Sequence, residues 1–97
     1  MTTRFFVRVE LHSPPTGSYG SLHKEMKARG FKRTVTLDDV EQRLPTGCYI
    51  GRASKVGTDR QAAMDKAKAA ANAVHSKHSI VVVETDEPLT AYKLDPG

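Results

Sequence analysis

Tryptophan is absent from this 97-residue chain, cysteine occurs once, and aromatic residues make up only 6% of it. A single thiol, Cys48, forms no internal disulfide, which predicts a reducing, cytoplasmic setting. Apolar runs never approach the roughly 20 residues that cross a bilayer, so no membrane span is expected. The opening Met-Thr-Thr-Arg-Phe-Phe-Val-Arg carries charge within its apolar stretch, so it does not read as a secretory leader. Glycine-rich phosphate loops, Gly-x-Ser-x-Gly and Cys-x-x-Cys are all missing, which removes the common nucleotide, hydrolase and thiol-redox signatures. The length suits one domain spanning 1–97, since two halves would each be too small to bury a core.

What the chain has is positive charge, unevenly placed. Fifteen Lys and Arg face eleven Asp and Glu, a net charge of +4. Lys24, Lys27, Arg29, Lys32 and Arg33 against Glu25 carry the whole of that excess within one short segment, while Glu84, Asp86, Glu87 and Asp95 make the C-terminal end acidic. A local basic cluster on an otherwise balanced chain suits phosphate, and it also suits a solvated helix face.

Hydropathy patterns outline the elements. Over residues 4–11, Phe5, Val7, Val9 and Leu11 alternate with Phe6, Arg8 and Glu10, which predicts a strand with one apolar and one polar face, His12 continuing the polar one. Pro14 and Pro15 end it. Tyr19, Leu22 and Met26 recur at helical spacing, with Gly30 as the stop. Phe31 to Leu37 reads as an edge strand in which Arg33 interrupts the apolar face and reaches water. Asp38 and Asp39 open a polar connection running to about Pro45. Residues 47–53 form a weaker strand. Thr58 and Gln61 have the spacing of a capping box ahead of an alanine-rich helix with Ala63, Ala67, Ala70, Ala71 and Val74 on one stripe. Ser79 to Thr85 is a strand apolar on both faces, and residues 88–97 form an extension with a short fifth strand over 89–94.

The order β-α-β-β-α-β predicts an α+β, ferredoxin-like sandwich: a four-stranded antiparallel sheet in the order 4-1-3-2 with two helices on one face. The last strand then lies at an edge, where its apolar character predicts a homodimer.

Several groups suggest chemistry. On the helix-free face, Glu10 and His12 are candidates for proton transfer at a phosphodiester, and His23 on the first helix is a third. Arg8, Lys24, Lys27, Arg29, Lys32 and Arg33 are the candidate RNA-binding residues. Phe6 and Tyr49 make a two-aromatic stacking platform if both face outwards. His75 and His78 have His-x-x-His spacing without further zinc ligands nearby, and they read better as the cationic end of a helix. Asp38 and Asp39 read as a turn. No metal, cofactor, membrane or DNA partner is expected.

The segments Thr-Arg-Phe-Phe-Val-Arg-Val-Glu-Leu-His, Ser-Leu-His-Lys-Glu-Met-Lys-Ala-Arg-Gly-Phe, Lys-Arg-Thr-Val and Leu-Pro-Thr-Gly-Cys-Tyr, with the capped alanine-rich helix, resemble the GhoS-type family of small bacterial proteins, the antitoxins of type V toxin–antitoxin systems. The resemblance covers nearly the whole chain. It implies a ferredoxin-like, Cas2-like fold and an endoribonuclease that cleaves the messenger RNA of its toxin. Where that family's first helix carries an arginine, this chain has His23. Two readings follow: an RNA-binding, RNA-cleaving regulator, or a non-enzymatic dimeric module that binds a protein or a small ligand.

Overall fold

The computed structural model describes residues 4–37, 39–57, 59–85 and 95–96. Alternation along β1 (Arg4–Leu11) is realised in full: Phe5, Val7, Val9 and Leu11 are buried, while Arg8 and Glu10 are exposed. The strand is central, pairing antiparallel with β4 (Cys48–Arg52) on one side and β5 (His78–Thr85) on the other. Its buried face is roofed by two helices. From α1 (Ser18–Ala28) come Leu22 and Met26, and from α3 (Arg60–Val74) come Ala63, Ala67, Ala70 and Ala71, all in one core with Phe31, Tyr49 and Val56. Alanines on the α3 stripe leave little side chain between helix and sheet, so α3 packs closely and buries methyl groups rather than long side chains.

α3 is capped differently from the expected box. Asp59 is its N-cap, with a carboxylate that accepts a hydrogen bond from the Ala62 amide at 2.8 Å. Gln61 does not reach back; its amide donates to the Asp65 carboxylate at 2.9 Å. Thr58 and the proposed strand over 89–94 lie outside the described residues.

The order β5-β1-β4 matches three positions of the predicted sheet, but among the described residues the sheet has three strands, not four. Where the fourth was expected, the chain makes one antiparallel bridge. Lys32 and Ile50 exchange backbone hydrogen bonds of 2.7 and 2.8 Å, and the segment then leaves. Residues 34–37 pair instead with residues 40–43, where the sequence pattern predicts a polar connection. β2 (Thr34–Leu37) and β3 (Val40–Arg43) form a hairpin in which Leu37 pairs with Val40, and Asp39 takes φ +62° in the tight turn. β6 (Asp95–Pro96) adds to β3 and completes a second small sheet. A short helix, α2 (Ala53–Val56), follows β4. Gly51 explains why β4 tolerates glycine: a Cβ there would lie 2.8 Å from Val56 and 2.9 Å from Phe31, so its hydrogen makes room for both core side chains. The whole is α+β and compatible with a ferredoxin-like arrangement.

Among the described residues, no helix is long and apolar enough to cross a membrane.

Candidate nucleic-acid interface

Strand register decides what the helix-free face presents. In an antiparallel pair, directly opposed residues share a face. Phe6 is therefore flanked by Ile50 and Val83, Arg8 by Cys48 and Val81, and Arg4 by Arg52 and Thr85. Lys32, bridged to Ile50, extends the Phe6 row outward. The centre of this face is apolar, with Val81 58% and Val83 48% exposed. Among the described residues, four cations, Arg4, Arg8, Lys32 and Arg52, stand around it against one carboxylate, Glu10. Arg4 and Arg52 were absent from the sequence-derived set. Period-two alternation places Arg4 with Phe6, but only the register brings Arg52 beside it.

Glu10 and His12 adjoin at one end of this face. The Glu10 carboxylate lies 3.7 Å from His12 Nδ1 and 3.8 Å from the Arg8 guanidinium. His12 Nε2 is 2.8 Å from the Ser79 hydroxyl. An exposed imidazole held between a carboxylate and a hydroxyl can relay a proton to a bound ligand.

His23 does not join them. It belongs to the opposite, helix-bearing side, where its Nδ1 is 2.6 Å from the Tyr49 hydroxyl. Tyr49 pairs with Val7, faces the helices and is wholly buried, so it is no stacking surface; Phe6 is the one aromatic of the expected pair on the open face. Burial pushes the Tyr49 hydroxyl well above the usual tyrosine range. Burial first, then the Arg33 guanidinium, hold His23 below the ordinary imidazole value, so it is neutral at pH 7. Arg33 accordingly points inward, not to water as the edge-strand pattern predicts. Its Nε is buried and has no hydrogen-bond partner among the described residues.

The basic segment 24–33 thus divides. Lys24 and Lys27 are exposed on α1, and Lys32 serves the open face. Arg29 is committed to Glu25, donating to its carboxylate at 2.8 Å and its carbonyl at 3.0 Å. The His-x-x-His pair divides as well, because α3 ends at Val74: His75 Nε2 meets the His12 carbonyl at 2.7 Å, and His78 Nε2 meets the Asn72 side chain at 2.8 Å. Cys48 is buried, which raises its thiol above the usual range. Asp38 lies outside the described residues, and Asp39 occupies the hairpin turn. Among the described residues no three His, Cys, Asp or Glu side chains are grouped as a metal site would need. A cleft of about 430 Å³ between α3 and β5, lined by Asp59, Arg60, Gln61, Met64 and Val82, touches none of the candidate groups.

No protein-family model matches the chain, and neither a curated protein nor a solved structure matches it.

Proposed function

We propose that the chain is a small cytoplasmic RNA-binding regulator that lays single-stranded RNA across the helix-free sheet face. The observation that carries this reading is the ring of Arg4, Arg8, Lys32 and Arg52 around the half-buried Phe6. Cations at that spacing hold phosphates while an aromatic face takes a base, and every base has such a face to offer. The strand order and the single bridge at Lys32 support a ferredoxin-like domain with its fourth strand reduced to that bridge. The resemblance to GhoS-type antitoxins supports cleavage of a toxin's messenger RNA, with Glu10 and His12 as the acid–base pair at the end of the same face. Arg8, beside Glu10, holds the phosphate next to them.

The test combines binding and cleavage. Fluorescently labelled single-stranded RNA is titrated by anisotropy at 50 mM salt, and cleavage is followed on gels with magnesium or with EDTA. Single strands should bind and duplex should not. Glu10→Gln and His12→Ala should each slow cleavage by roughly a hundredfold or more, the usual worth of a positioned acid or base, with binding little changed. Absence of binding to any RNA at low salt overturns the reading, and cleavage indifferent to both variants removes Glu10 and His12 from it.

A second reading has its own observation. β5 is an edge strand among the described residues, yet its Val81 and Val83 are both well exposed. Exposed apolar edges invite pairing, and this one is self-complementary. Antiparallel pairing of two copies about Val81 sets Ile80 opposite Val82 and His78 opposite Glu84, a contact between opposite charges once the imidazole is protonated. A homodimer built this way joins two open faces into one. Light scattering should then report twice the 10.6 kDa chain mass, and Val81→Lys, which opposes two cations at the axis, should give the monomer. A parent chain monomeric at every concentration tested rules the dimer out.

A further inference from the structure

We propose that Arg33, His23 and Tyr49 form a separate anion site at the corner where α1 meets β4, one that takes a phosphate group. The alternation of backbone faces sets it up. Lys32 shares the face of Ile50, so Arg33, next along, turns to the face of Tyr49. There its Nε is buried with no acceptor, and no carboxylate among the described residues pairs with its guanidinium. A buried N–H of a permanent cation is costly to leave unpaired, which makes an incoming acceptor favourable.

His23 supplies a second donor. Tyr49 OH lies 2.6 Å from Nδ1 and has no other acceptor among the described residues, so we assign the hydroxyl as the donor of this bond. A neutral imidazole that accepts at Nδ1 carries its proton on Nε2, at the far side of the ring from Tyr49. That Nε2–H also has no protein partner among the described residues. The tilted His23–Tyr49 ring contact, with centroids 5.7 Å apart, holds the imidazole in place. Arg33, from the segment entering β2, is the charged group acting on the imidazole, Tyr49 from β4 contacts it, and Tyr19 and Cys48 act on Tyr49 in turn. Among the described residues no carboxylate belongs to this set. An oxyanion therefore meets one fixed cation and one preoriented N–H, with no opposing carboxylate among the described residues. Phosphate suits this set because Arg presents a fork of donors to two oxygens at once.

The phosphate has two sources, free phosphate or the terminal phosphate of RNA, and only the second rests on the RNA reading above. The imidazole signals of His23 are followed by NMR while inorganic phosphate replaces chloride at constant ionic strength. Bound phosphate should raise the pKa of His23, because a dianion favours imidazolium and offsets the Arg33 guanidinium. Arg33→Gln should by itself raise that pKa and weaken the phosphate effect at least about tenfold, the worth of a charged hydrogen bond. Arg33→Lys, which keeps the charge and loses the fork, should fall between. A 5′-phosphorylated tetranucleotide that shifts His23 where its 5′-hydroxyl counterpart does not identifies RNA ends as the source; phosphate acting without that difference identifies free phosphate. The site is disproved if phosphate leaves His23 unmoved, or moves it equally in the folded Arg33→Gln variant. Neither outcome depends on whether the open face binds RNA.

Discussion

Gly47→Ala should lower the melting temperature by roughly 10–30 °C, corresponding to about 2–5 kcal/mol in a domain of this size. Two costs add at this residue. Gly47 has φ +87°, a left-handed conformation that costs an L-residue about 1–2 kcal/mol. It is the third residue of the Pro45–Cys48 turn, closed by the Cys48 amide donating to the Pro45 carbonyl at 3.0 Å, and that turn type demands positive φ there. In addition, an alanine Cβ would stand 2.6 Å from the Val9 carbonyl oxygen. That oxygen belongs to the buried central strand, whose Val9 amide donates back to the Gly47 carbonyl at 2.7 Å, so β1 cannot retreat without breaking its own pairing. Crowding of this kind costs about 1–3 kcal/mol. Gly17→Ala separates the two costs, because Gly17 has the same φ of +87° with nothing within 4 Å of its Cβ position. It should lose only the conformational part. Equal losses in urea unfolding of the two variants would show that the Val9 contact does not matter.

Elements with a strong period are legible in the sequence itself. The alternation of Phe5, Val7, Val9 and Leu11 and the alanine stripe of α3 both follow from a single buried face, and burial confirms each residue. What escaped depends on pairing rather than pattern. Asp38 and Asp39 read as the start of a polar connection, whereas Asp39 sits in the tight turn of a hairpin that pairs Thr34–Leu37 with Val40–Arg43. That hairpin draws residues 34–37 off the main sheet and costs it the fourth strand. It also turns Arg33 toward Tyr49. Sequence spacing grouped Arg33 with Lys32 as one patch, but consecutive residues of an extended chain point to opposite faces. His23 and Glu10 were candidates for one reaction, and the sheet separates them. Arg52, in contrast, had no motif to advertise it and gains its place only because β4 pairs with β1 in a register that opposes Arg52 to Arg4. The alternating face is a local property of sequence; which strands lie beside it is not.

Replacing Arg4, Arg8, Lys32 and Arg52 together with glutamine should weaken single-stranded RNA binding on the order of a hundredfold at 50 mM salt, taking each exposed contact as somewhat under 1 kcal/mol. The salt dependence should change with it. Four phosphate contacts to a single strand imply that the parent loses roughly fiftyfold in affinity between 50 and 200 mM salt, and the quadruple variant should lose most of that dependence. Phe6→Ala acts through a different force. A stacked base is worth about 1–3 kcal/mol, so affinity should fall several-fold to about a hundredfold with the salt slope unchanged. Lys24→Gln with Lys27→Gln tests the other layer. These ammonium groups stand on the exposed side of α1, away from Phe6, and the cation that caps the helix, Arg29, is already paired with Glu25. Their removal should cost less than about tenfold, since only a strand wrapping over the sheet edge meets them. The two charge-removing variants leave the buried core untouched and should melt close to the parent, whereas Phe6→Ala also removes half-buried packing between Ile50 and Val83 and lowers the melting temperature, so its binding is compared well below that temperature. If the α1 pair outweighs the sheet-face four, RNA follows the helix and the open face is not its platform.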